Sequence, residues 1–179
     1  MGVAVFIGLL AMGLIINRID NNVNKALIIN ELRAHELEKV SKAYEAEQNL
    51  LLTAMDSIVD NESGKIGAER RQIIDEASKA ISNNLNTLAE LADTTNDKQL
   101  VQKLREKSDL LISGITGDLF TLIEEKIPAG TASEADFAHI DDVIDGYGTT
   151  LETSFREYKQ PYQRKHGMLT KHSAPPSLP

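Results

Sequence analysis

The chain has 179 residues, 41% of them apolar and 26% charged, enough for one ordered core rather than a disordered polypeptide. Eleven Gly, five Pro and 4% aromatic residues exclude a barrel or sandwich of many short strands, and the composition suits long helices. The absence of Cys excludes disulfides, thiolate metal sites and cysteine nucleophiles, while 19 Lys+Arg against 27 Asp+Glu, a net charge of −8, argues against nucleic-acid binding.

Residues 1–17, MGVAVFIGLLAMGLIIN, carry no charged side chain before Arg18. As a helix they span roughly 25 Å, a little less than a ~30 Å hydrocarbon core. A cleaved signal peptide would have a basic start and a small-x-small cleavage site, and Leu14, Ile15 and Ile16 stand where cleavage is wanted. A buried core helix and a transmembrane anchor remain, and the anchor is the expectation. The missing basic start makes Met1 read as a late or internal beginning, and it removes the charge asymmetry that would orient the segment.

From Ile16 a 3-4 spacing runs unbroken: Ile19, Val23, Ala26, Asn30, Arg33, Leu37, Val40, Tyr44, Glu47, Leu51, Ala54, Ile58. That predicts one helix with a bundle seam, in register with the apolar run and ending at Asp60-Asn61-Glu62-Ser63-Gly64. A second helix is expected over 68–93, with the stripe Ile74, Ala77, Ile81, Leu85, Leu88, Ala92. A third follows Thr94-Thr95-Asn96-Asp97 and runs to Ile127, where Pro128-Ala129-Gly130 stops it. A capping box at Thr131–Glu134, or alternatively at Ser133–Asp136, starts a fourth. Its stripe is Phe137, Ile140, Ile144, Tyr147, Leu151, Ser154 and Tyr158, and Pro161 is expected to end it.

Short connections between long helices imply antiparallel neighbours. The predicted fold is an all-α, up-down-up-down antiparallel four-helix bundle over residues 18–160, its first helix continuous with a transmembrane helix over 1–17. Residues 161–179, with further prolines, several cations and no periodicity, read as a disordered tail.

The chemistry-bearing patterns are weak. His35-Glu36 begins like a zinc-protease helix, but Lys39 stands where the second His is needed, and the segment reads as a solvated helix face. Asp136 and His139 have carboxylate-x-x-His spacing, but a di-iron bundle needs two such motifs, so they read as a helix start. No phosphate loop or nucleophile–base arrangement is present. The expectation is a protein that is not an enzyme, with no catalytic residues, no metal site and no cofactor. Three polar residues interrupt the first helix's seam: Asn30, Arg33 and Glu47. Such residues fix register or oligomeric state, or face a ligand or dimer interface. They are the candidate ligand-binding set, with the Arg33 fork suited to a carboxylate. Counting from the turns places Gly114 and Gly117 level with Gly146 and Gly148, and Glu47 level with Ile81. The missing side chains predict a tight helix approach or a pocket beside Glu47.

The stretches AEQNLLLTAMDSIVDNESGKIGAERRQIIDEA and LAELADTTNDKQLVQKLREKSDLLISG, following an anchor that feeds the first helix, resemble the four-helix-bundle sensor region of methyl-accepting chemotaxis proteins. The resemblance covers about residues 1–160 and rests on an apolar patch before the first hairpin, an acidic turn and a Glu-Arg-Arg start to helix 2. It implies a homodimeric sensor domain anchored in the inner (cytoplasmic) membrane, with the bundle on the periplasmic side. It also implies binding of a small molecule or periplasmic partner and signalling by a piston-like shift of helix 4. Similar bundles precede histidine kinases and cyclic-dinucleotide enzymes. Pro161 and the tail depart from the pattern, since a second membrane helix and a signalling segment belong there. The chain therefore reads as a receptor fragment, a truncated product or a stand-alone anchored bundle. An anchored adaptor is the other reading, with Leu27, Ile28 and Leu32, off the seam, as its contact surface.

Overall fold

The structure, a computed structural model, describes the backbone of residues 2–171 and the side chains of residues 22–61 and 63–160. It is all-helical, with no strand among the described residues. The four helices are α1 (Gly2–Val59), α2 (Ala68–Leu91), α3 (Thr95–Ser113) and α4 (Glu134–Lys171). The chain divides into two compact units, Met1–Glu36 and Leu37–Pro179.

In the first unit the described side chains are mostly exposed. Val23, Leu27, Ile28 and Ile29 are all open to solvent, and Leu32 is half-buried. Among the described residues no helix is long and apolar enough to cross a membrane. The anchor expected over 1–17 lies outside the residues whose side chains are described.

The second unit holds the core. All six expected positions of the second stripe are buried, from Ile74 to Ala92, the residue that follows α2. They join Val101, Leu104, Leu111, Ile115 and Leu119 from the third helical stretch and Ile140, Ile144, Leu151, Phe155 and Tyr158 from α4. Helix α2 packs on α3, and α3 on α4. From this part of α1 the buried stripe is Val40, Ala43, Glu47, Leu50, Ala54 and Ser57. Val40, Glu47 and Ala54 were expected there. Tyr44, Leu51 and Ile58 are only half-buried, and their preceding neighbours take the inner positions. A helix packed into a bundle buries a wider stripe than a two-helix seam does, and small or polar side chains sit at its centre.

The helix ends follow local chemistry. Gly64 takes φ 61° and donates its N–H to the Asn61 carbonyl at 2.9 Å, the left-handed cap that Gly supplies at little cost. Thr94 caps α3, its Oγ1 accepting from the Asp97 N–H at 3.1 Å. Helix α4 starts on the second of the two candidate boxes: Asp136 N–H donates to Ser133 Oγ at 3.2 Å, and Ser133 N–H to Asp136 Oδ2 at 2.9 Å.

Two expectations are corrected. The third helix does not stay α-helical to Ile127: from Gly114 to Leu119 and from Leu122 to Lys126 the turns widen to π-helix. Leu111, Ile115, Leu119 and Ile123 are all buried at a strict four-residue spacing. That spacing drifts about 40° per step round a 3.6-residue helix, and wider turns absorb the drift. Pro161 does not end the last helix, which continues to Lys171. A proline removes one hydrogen bond but leaves the residues beyond it free to keep helical dihedrals. Of the expected tail, residues 172–179 lie outside the described residues.

Candidate functional site

The seam between α1 and α4 holds the most unusual side chain of the second unit. Glu47 is 0% exposed. Its Oε2 accepts a hydrogen bond from Gln48 Nε2 at 2.9 Å, and its Oε1 has no hydrogen-bond partner among the described residues. Burial pushes the carboxyl up to about 7; the Gln48 hydrogen bond opposes the shift and the negative charge of Glu152 on α4 adds to it. One turn on, a Cβ on Gly148 would lie 2.9 Å from Leu51 Cδ1, so α1 and α4 approach closely where α4 has no side chain. One turn back, the Tyr44 ring meets Phe155 edge to face at 5.7 Å, and Lys159 Nζ lies 4.9 Å over Tyr44. Burial lowers the Lys159 pKa. Tyr44, Glu152, Phe155, Arg156 and Lys159 line a shallow groove of about 150 Å³.

The expected glycine level resolves into separate roles. Gly148 gives the tight approach, and a Cβ on Gly114 would lie 3.4 Å from Tyr147 Cε2, an ordinary contact. A Cβ on Gly117 or Gly146 would meet nothing within 4 Å.

The candidate ligand-binding residues fall in different units. Asn30 is exposed in the first. Arg33, also there, is half-buried and donates to Glu36 Oε2 at 2.8 Å, so part of its donor fork is already engaged. His35 and Glu38 are exposed, as a solvated face requires, but Glu36 between them is 0% exposed, which corrects that reading at Glu36. Glu47 belongs to the second unit.

The Glu-Arg-Arg start of α2 has a structural role. Arg70 pairs with Asp60 and Arg71 with Glu124, while the Ile66 N–H donates to Glu124 Oε1 at 3.2 Å. Arg71 also stacks over Phe120 at 4.7 Å. Partial burial works against the Glu124 carboxylate. The Arg71 hydrogen bond, the Ile66 N–H and the Arg71 and Lys65 charges outweigh it and hold the group below its ordinary pKa. Asp136 is held by Lys126 at 2.8 Å and by Ser133, and its pKa falls to about 2. Among the described residues no group of three His, Asp or Glu side chains is placed to hold a metal ion.

Sequence reasoning missed Ser108. It lies between Leu104 and Leu111 in the α3 stripe, 2% exposed, and its hydroxyl has no partner among the described residues. The signal was available: a serine at a core position of a 3-4 repeat.

No family model, curated protein or solved structure matches this chain. The likeness to chemoreceptor sensor regions thus stands on the sequence pattern alone.

Proposed function

We propose that residues 18–160 form an up-down-up-down sensor bundle of a chemoreceptor-like signal transducer, anchored by residues 1–17 in the inner membrane with the bundle on the periplasmic side. It binds a small molecule or partner domain and signals by displacement of α4 along α1, without catalysis. The observation that carries this reading is the α1–α4 seam, where the ionisable Glu47 is buried one turn from the close Leu51–Gly148 approach. A seam with a desolvated, incompletely hydrogen-bonded carboxyl has a small energy gap between arrangements that bury it and arrangements that hydrate it. The up-down order is supported at one end, where a Cβ on Gly64 of the first connection would lie 3.2 Å from Pro128 of the last. Leu52, Met55 and Val59, exposed at i, i+3 and i+7 on α1, suit association with a second copy.

The adaptor reading has its own support. Val23, Leu27, Ile28 and Ile29 expose apolar surface in the first unit, which another helical protein would cover.

The chain has no native Cys, so cysteines introduced at Asn49 and Thr149 give one spin-label pair across α1 and α4. In the full chain in nanodiscs, the sensor reading expects the inter-label distance to move when free amino acids or small carboxylic acids are added. A distance that stays fixed across such a panel and between pH 5 and 8 would sink it, and membrane-partner capture would then test the adaptor.

A further inference from the structure

We propose that the groove between α2 and α3 is a binding site for a small monocarboxylate. The groove encloses about 310 Å³ and is lined by Ile81, Ser82, Leu85, Asn86, Arg105, Ser108 and Asp109. At its floor Ile81 is fully buried and Leu85 nearly so, and what the groove exposes is mainly polar.

Two observations point to a ligand. The first is Ser108. The three other buried Ser and Thr hydroxyls, those of Thr53, Ser57 and Ser154, each donate to the backbone carbonyl one turn back, at 2.8, 2.7 and 3.0 Å. Ser108 has the same option in its helix and does not take it. Its hydroxyl lines the groove without a partner among the described residues, and a buried hydroxyl left without a hydrogen bond is unfavourable.

The second is Arg105. Arg33, Arg70, Arg71 and Arg156 each pair with a carboxylate. Arg105 instead donates to the neutral Asn86 amide oxygen across the groove. Asp109, one turn along the same helix, is not its partner. A guanidinium has five N–H donors, and one amide oxygen leaves room for a carboxylate. Asp109 at the rim supplies the selectivity, because a second negative charge on the ligand would meet it. The carboxylate meets the free donors of Arg105, and Ser108 Oγ donates to its second oxygen. Binding here does not depend on movement of α4, so its failure and the failure of the sensor reading are separate outcomes.

The test is titration of the full chain in detergent with hexanoate, hexylamine and adipate, followed by calorimetry. Hexanoate is expected to bind saturably in the millimolar range, with hexylamine and adipate much weaker. Arg105→Gln should weaken hexanoate about tenfold and Ser108→Ala about threefold. Lys103→Gln, which removes one cation elsewhere on α3, should leave it unchanged. Saturable binding weakened in both groove variants and unchanged in Lys103→Gln supports the site. No saturable heat with hexanoate, equal binding of hexylamine, or equal weakening by Lys103→Gln would overturn it. If Ser108→Ala binds as tightly as the natural chain, the hydroxyl is satisfied by water and its assigned role is overturned.

Discussion

The connection end of the bundle and the α1–α4 seam use carboxylates in opposite ways. At the connections Asp60, Glu124 and Asp136 each face a cation. Glu124 and Asp136 ionise more readily than usual, so their charge is part of the folded state at neutral pH. In the seam Glu47 has no cation partner among the described residues, and burial holds its carboxyl near 7. The first arrangement clamps loops over a wide pH range. The second leaves the seam sensitive to a proton under physiological conditions.

The largest consequence is a stability change confined to one pH window. The folded Glu47 keeps its proton up to about pH 7, whereas the unfolded chain releases it near the ordinary 4.5. Its contribution is therefore fully present below about pH 4.5 and is lost as pH rises through 7. The loss amounts to about 3 kcal/mol. Glu47→Gln should flatten the dependence between pH 5 and 8 and be the more stable protein at pH 8, as measured by urea unfolding followed by circular dichroism. Equal slopes in the two proteins would show that Glu47 is hydrated in the folded state. Glu124 and Asp136 act with the opposite sign and at lower pH. Their stabilisation is present above the ordinary carboxylate range and fades as pH falls through it, so the two regions separate on one titration.

The next effect tests how close the seam is. Gly148→Val would push two methyl groups into the space taken by the Leu51 side chain, and overpacking of this kind costs about 1–3 kcal/mol. A variant as stable as the natural chain would show that α1 and α4 stand further apart than described. Such a result would weaken the sensor reading along with the seam.

Much of this architecture was legible because it depends on local patterns. The α2 stripe, the Thr94 cap, the Gly64 cap and the Ser133–Asp136 box are set by neighbours within one or two turns. What was illegible depends on packing partners. The inner face of α1 carries Ala43, Glu47 and Ser57, whereas the greasier Leu51 and Ile58 flank it, so hydrophobicity alone points one residue off. The π-helical turns after Gly114 answer a spacing of four that suits neither helix type by itself. Arg105 meets Asn86 from another helix, and no motif connects them. Of the candidate site Glu47 and Gly148 stood out in advance, because a charge or a missing side chain at a seam level is visible in any register that includes it.

The smallest predictions set a glycine with open space around it against a clamping arginine. Arg71→Ala removes a half-exposed ion pair and a cation–π contact, worth about 1 kcal/mol together, and the loss should shrink in high salt because the ion pair is screened. Gly146→Ala has the opposite sign. The site is exposed, a Cβ there meets nothing, and Ala is the better helix former, so a gain of about 0.5–1 kcal/mol is expected. Gly146 and Gly148 are two residues apart on α4, yet only Gly148 has a neighbour that needs it bare. If Gly146→Ala also destabilises in urea unfolding, that face of α4 is covered by something beyond the single chain, and a second copy becomes the first candidate to look for.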